Sequence, residues 1–290
     1  MVDGILVTLP DESVLEAHET CASAGVKIVA FNSGMDLAMS AGYLYFGTNE
    51  TRSGYEAGVA LASVNGTDKY CFVNHSPGVD AITDRWEGMY AGIVGTVEEY
   101  RIMEAVVDIG NCDAWTDVVY DTCRDINGTD DWSTVGLYVA GANHDCALDF
   151  LRDHAGASMA FSDVSEYAYD GLRDDGLNVL FVIDQQSYLQ GYMPFSYLTL
   201  AVTNDQMIIG NDVIMTGPRL IVKPPATSDV EGCAIAIADY AVCDDPVVAA
   251  IPPPAPASHS AGKVADDMYR IVLAVGCVAM SIMGGYELAD

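Results

Sequence analysis

Strand-like apolar runs and helical segments alternate along most of the chain. Ile5–Leu9, Lys27–Phe31, Tyr43–Phe46, Tyr70–Asn74, Ile102–Val107, Val135–Ala140 and Val179–Ile183 read as strands. Between them, helices are predicted at about 11–24, 52–63, 83–94, 114–123, 145–154 and 166–172. Asp11 suits the N-cap of the first helix, and Gly25 suits its C-terminal stop. Strands that alternate with helices build parallel sheets from right-handed βαβ units. The sequence contains no internal repeat.

Length and charge narrow the function. The 290 residues suffice for one large domain or two lobes, and 51% hydrophobic residues can fill a sizeable core. Twelve Lys and Arg against 42 Asp and Glu give a net charge of −30. Binding to nucleic acid needs clustered basic residues, so it is excluded, and an anionic membrane surface is disfavoured for the same reason. No basic, apolar leader opens the chain.

None of the eight cysteines forms a CxxC motif. Cys112 with Cys123 and Cys233 with Cys243 are locally spaced, and disulfides there would imply an oxidising compartment; free buried thiols are the alternative. Sequons at Asn49, Asn65, Asn74 and Asn127 point to the same compartment.

Composition changes after about Val230. Residues 226–250 form a tail segment, and 251–268 contain a Pro/Ala/Ser linker. Residues 269–290 hold an uncharged, mostly apolar run, Ile271–Tyr286, of 16 residues. That run is short for a spanning helix, which wants about 20 residues. It reads either as a membrane attachment or as a terminal helix packed on a partner.

Catalytic constellations are absent: there is no GxSxG, HExxH, GxxxxGK[ST] or GxGxxG motif. The histidines are scattered, and His18, mid-helix, reads as a half-buried surface residue. What the sequence does offer is polar residues at strand ends. Asn32 and Ser33, Asn49 and Glu50, His75, Asn143, and Asp184, Gln185 and Gln186 each follow a predicted strand. Ligands of open α/β sheets bind outside the carboxyl ends of the strands. Amides and single carboxylates there suit a neutral polyhydroxylated ligand. Each residue taken alone is also a common helix cap or turn former.

Several segments resemble the type I periplasmic sugar-binding proteins of the ribose and autoinducer type. The resemblance runs through 3–11, 25–34, 45–50, 54–58, 74–78 and 84–89, and is strongest at 181–192, with 198–204 and 216–218 behind it. It implies an α/β fold of two lobes, each a parallel doubly wound sheet, joined by a hinge and closing on a sugar-like solute without chemistry. Lobe one would comprise residues 1–48 and 187–211, lobe two 49–186, all within a solute-binding domain of 1–225. The family's opening strand, helix and second strand have no counterpart, roughly fifty residues of the first doubly wound sheet. The first lobe is therefore expected to be incomplete, with Ile5–Leu9 left at an unpaired edge.

The same resemblance assigns ligand contacts to Asn32, Ser33, Arg85, Trp115, Asn143, Asp163 and Gln185. Arg85 would fork onto ligand hydroxyls, Trp115 would stack on a sugar face, and Gln185 would sit at the hinge. The ribose-type pattern has Asp-Arg where this chain has Asn32-Ser33. No cofactor or metal is implied. The expected partners are a sugar-like ligand and an ABC transporter or membrane receptor, in an extracytoplasmic location. The runner-up is the ligand-sensing half of a LacI-type regulator, which shares the fold; the net charge and the sequons argue against it.

Overall fold

A computed structural model describes residues 2–124, 130–208 and 210–222, with a short ladder pairing Ala236–Ile237 and Tyr240–Ala241. The chain divides into two units. Among the described residues, one comprises 2–47 and Ser187–Thr216; the other comprises Thr48–Gln186, 217–222 and the short ladder.

The first unit is built on a four-stranded sheet of β1 (Gly4–Val7), β2 (Lys27–Phe31), β3 (Leu44–Thr48) and β9 (Val213–Gly217), in that order. Strands β1, β2 and β3 are parallel. Their side chains alternate between two layers, as the pleat dictates. Ile5, Val7, Ile28 and Ala30 pack against α1 (Leu15–Ser23) and α2 (Met35–Ala41). Val29, Leu44 and Phe46 pack against Leu198, Met193 and Tyr197 of α8 (Ser187–Thr203). Asp11 caps the turn that leads into α1, accepting from Ser13 N at 2.7 Å, and Gly25 takes a left-handed backbone just past the helix. His18 is buried rather than half-exposed, because the α1 face that carries it turns inward. Among the described residues β1 has a single neighbour, β2, and so forms the sheet's edge.

The second unit holds a six-stranded sheet in the order β10-β8-β7-β6-β4-β5. Its strands are β4 (Lys69–Asn74), β5 (Ile102–Val106), β6 (Val135–Val139), β7 (Ser158–Ser162), β8 (Asn178–Asp184) and β10 (Arg219–Val222). All are parallel except β10, which runs antiparallel beside β8. On one face Cys71, Val73 and Leu137 meet α5 (Cys112–Cys123), α6 (His144–Asp153) and α7 (Glu166–Arg173). On the other, Tyr70, Phe72 and Tyr138 meet α3 (Glu50–Ala62) and α4 (Asp80–Ile93).

Helices α3 and α4 cross with backbones almost touching. A Cβ on Gly54 would strike the Arg85 carbonyl, one on Gly88 the Thr51 carbonyl, and one on Gly92 the Tyr55 carbonyl. This approach carries the start of α3 and the middle of α4 to the same end of the sheet.

The disulfides differ from the local pairs expected. Cys71 bonds Cys123, and Cys112 bonds Cys146. Cys112 and Cys123 are the first and last residues of α5, three turns apart, so a helix separates them. Each instead reaches a neighbouring element, one α6 and the other β4. Cys233, Cys243 and Cys277 lie outside the described residues, as do the linker and the apolar C-terminal segment. Among the described residues, no helix is long and apolar enough to cross a membrane.

Strand β7 and helices α2 and α8 have no counterpart among the elements predicted from periodicity. β7 is buried on both faces and so shows no alternation. α2 spans only two turns between Gly34 and Gly42. α8 is apolar nearly all round and contains Pro194, which obscures a helical period.

Candidate functional site

In the second unit, polar residues gather where the parallel strands end. His75 follows β4, Asn143 and His144 follow β6, Asp163 follows β7, and Gln185 follows β8. Two of these turns use the same device: Asn143 (φ 68°) and Asp163 (φ 72°) take a left-handed backbone straight after a strand. Asn and Asp tolerate that region better than other non-glycine residues. In the first unit, Asn32 does the same after β2, with φ 68°.

The centre of the second unit's cluster is Arg85, delivered by α4 and only 4% exposed. Its Nε donates to Glu50 Oε2 at 2.7 Å, and Nη1 donates to the Ala140 carbonyl. Nη1 also lies 3.9 Å from Asp163 Oδ2. Gln185 Nε2 donates to Asp163 Oδ1. Beneath them the Tyr138 hydroxyl and Ser162 Oγ are 2.5 Å apart. His144 Nδ1 is 2.7 Å from Ser165 Oγ, which in turn caps α7 by accepting from Ala168 N.

Burial shapes the charges of this group. It opposes Arg85's charge, but Glu50 and Asp163 more than offset that, and the guanidinium is held more firmly protonated than usual. Burial pushes the Glu50 carboxyl upward against the pull of Arg85. Burial, reinforced by Arg85, pulls His75 downward. Burial also pulls His144 downward, with Asp163 opposing. Asp163 is the open member of the group, with 37% of its side chain exposed.

Of the residues expected to contact ligand, Arg85, Asp163 and Gln185 come together. Asn143 stands on the same rim, but its amide donates to the Asp108 carbonyl at 2.9 Å and accepts from Gly110 N at 3.3 Å, which ties down the loop after β5. Trp115 does not stand there. Its ring is 0% exposed, in the core beside Phe150, because the α5 face that bears it turns toward the sheet. A ring buried on both faces cannot cover a sugar. In the first unit, Asn32 is exposed and its carbonyl accepts from the Tyr45 hydroxyl at 2.7 Å, whereas Ser33 is buried and its Oγ has no partner. Glu50, His75 and His144 join the cluster without having been singled out as contacts. Position after a strand marked Glu50 and His75, but nothing in the sequence pairs Glu50 with Arg85. Tyr138 and Ser162 lie in strands and carry no sequence signal.

Among the sequons, Asn65 lies in an exposed turn, Asn49 caps α3 through Arg52 N, and Asn127 lies outside the described residues. Asn74 is buried, with its amide on Glu104, so it is not an accessible acceptor in the fold.

Two α/β units, each with ligand-type polar residues at its strand ends, define the class of two-lobed α/β solute-binding proteins. A family model described as "Periplasmic binding protein domain" matches residues 1–206, and the chain belongs to that family. No curated protein matches it. Among solved structures it is similar to a carbohydrate transporter from Acidothermus cellulolyticus 11B in complex with myo-inositol. The identity there is 26%, over 76% of this chain and 74% of that one, with a TM-score of 0.65. Two more distant structures show the same fold. One is a periplasmic solute-binding protein from Actinobacillus succinogenes 130z with D-allose, at 19% identity, coverages of 76% and 78%, and a TM-score of 0.58. The other is a LacI transcriptional regulator from Bacteroides fragilis, at 16% identity, coverages of 76% and 75%, and a TM-score of 0.62. The fold is therefore the type I periplasmic-binding-protein fold.

Proposed function

We propose that this protein binds a sugar-like or cyclitol-like solute without transforming it, and hands it to an ABC transporter or a membrane receptor outside the cytoplasm. The observation that carries this reading is the rim of the second unit, where Asp163, Gln185 and Arg85 meet at the carboxyl ends of the parallel strands. Asp163 is open enough to accept hydrogen bonds from solute hydroxyls, and Gln185 and Arg85 fix its orientation. The myo-inositol complex of the similar transporter gives the solute class to try first.

A ligand that binds only the folded state raises stability by about 2.7 kcal/mol at a hundred times its dissociation constant. A thermal-shift screen with myo-inositol, ribose, arabinose, allose, glucose and galactose is expected to show a saturable rise for at least one. No shift with any of them at millimolar concentration contradicts the reading. The attachment of residues 269–290 to a membrane belongs to the same proposal and is tested by fractionating the full chain with and without that segment.

A further inference from the structure

Three described sequons meet very different surroundings. Asn65-Gly66-Thr67 lies in the turn between α3 and β4. Thr67 N donates to the Val64 carbonyl at 3.2 Å, and Gly66 takes φ 90°, a conformation that glycine supplies at the third position of a turn. Asn65 is exposed, and its amide makes no hydrogen bond among the described residues. The Thr67 hydroxyl has no partner either. The fold therefore makes no use of the polar groups of this triplet.

The other two asparagines are occupied. Asn49 accepts from Arg52 N at 2.8 Å to cap α3, and its neighbour Glu50 holds Arg85. Asn74 is 4% exposed; its Nδ2 donates to Glu104 at 2.7 Å, and its Oδ1 accepts from Ser76 N at 2.8 Å. A bulky group on that nitrogen would break the Glu104 contact and has no room.

The disulfides supply an independent observation. Cys71–Cys123 and Cys112–Cys146 persist in an oxidising compartment, which is where Asn-X-Ser/Thr triplets of secreted chains are modified. Position matters as well. Asn65 precedes β4 and the rim follows it, so the six residues of that strand, about 20 Å, separate them.

We propose that Asn65 carries N-linked carbohydrate, alone among the described sequons, at the end of the sheet away from the rim. In the transfer, Asn65 Nδ2 bonds to the anomeric carbon of a lipid-diphosphate-linked oligosaccharide and gives up one proton. The bond from that carbon to the diphosphate oxygen breaks, and the lipid diphosphate leaves with the electron pair. The inference shares its compartment with the proposed function and does not depend on the solute.

The test is site-resolved mass spectrometry of the full chain, sent through a eukaryotic secretory pathway behind a cleavable leader. Peptide N-glycosidase in heavy-oxygen water turns each carbohydrate-bearing Asn into a labelled Asp, and a digest without the enzyme subtracts spontaneous deamidation of the Asn-Gly pair. Label is expected at Asn65 in most molecules, and at neither Asn49 nor Asn74. Thr67→Val should abolish it and Thr67→Ser should keep it. If the chain is retained in the cell or Thr67→Val does not fold, the digest of the unaltered protein still decides. A bare Asn65 in protein with both disulfides formed overturns the site alone, as does label at Asn49 or Asn74. A bare Asn65 with all cysteines reduced overturns the compartment as well.

Discussion

The two faces of the six-stranded sheet are held by different means. On the α5–α6–α7 face, two disulfides fasten both ends of α5, and Trp115, Trp132 and Phe150 fill the layer between helix and strand; Trp132 meets Phe150 edge-on at 4.9 Å. On the α3–α4 face there is no cross-link among the described residues. Glycines let the two helix backbones meet, and the Glu50–Arg85 ion pair joins them at the rim. On the first face, covalent bonds limit the unfolded ensemble. On the second, the close glycine contacts and the Glu50–Arg85 pair add to the apolar core, and that pair also orients the candidate binding group. Rigidity on one face and positioning on the other are thus separate properties of one sheet.

The largest effect is expected on the disulfide face. Removing Cys71–Cys123, which closes 52 residues of sequence separation, should cost about 4 kcal/mol on the loop-entropy model, as Cys71→Ala with Cys123→Ala. Cys112–Cys146, spanning 34, should cost slightly less. Urea unfolding of each pair variant checks the order, and peptide mapping without reduction checks the pairing; a Cys112–Cys123 peptide would refute it.

On the other face, Glu50→Ala leaves Arg85 buried with only the more distant Asp163 carboxylate. A broken buried pair costs about 3–5 kcal/mol, and the partial compensation by Asp163 places the expected loss near the lower figure. The double variant Glu50→Leu with Arg85→Met should recover much of that loss, because no orphan charge remains. A double variant as unstable as the single one would show that the pair contributes something other than charge compensation.

Gly88→Ala places a methyl group against the Thr51 carbonyl and the Tyr55 amide, and should cost about 1–3 kcal/mol by overpacking. The sharper reading is local. Hydrogen exchange should rise in α3 and α4 while α5 and α6 keep their protection. Uniform loosening of both faces would contradict their independence.

The smallest effect is on pH. His18, His75 and His144 are all held below their usual range, chiefly by burial. The unfolded chain therefore binds more protons than the folded one as pH falls below about 6.5, and stability from these groups declines from there down through the folded values. His75→Gln with His144→Gln should flatten the slope of stability against pH between about 6.5 and 5. An unchanged slope would place the titration elsewhere.

Much of this architecture was legible in the sequence, and the reasons differ by element. Half-buried helices such as α7 show their period, and strands such as β2 and β4 stand out as apolar runs between turn residues. Asp11 announces a helix start because its side chain has no better use than to accept Ser13 N. β7 was hidden because a strand buried on both faces lacks the alternation that reveals a strand. Residue type also marked Arg85, Asp163 and Gln185 through the family likeness. What the sequence did not show was pairing across distance. Cys71 finds Cys123 and Glu50 finds Arg85 only once the sheet order and the helix crossing exist, and spacing along the chain contains neither. Trp115 shows the same limit in reverse: its place near a stacking aromatic in the sequence says nothing about which way α5 is rolled.

If Asp163, held by Gln185 and Arg85, is the contact through which the second unit binds its solute, its replacement should weaken binding. Calorimetric titration of the unaltered protein and of Asp163→Asn, which keeps the left-handed backbone at this position, using the solute that gives the largest thermal shift, tests it most directly. The expected result is an affinity loss of about tenfold or more, equivalent to about 1.4 kcal/mol per decade, with an unfolding midpoint in the absence of ligand close to that of the unaltered protein. Equal affinity of the two proteins for that solute would contradict it.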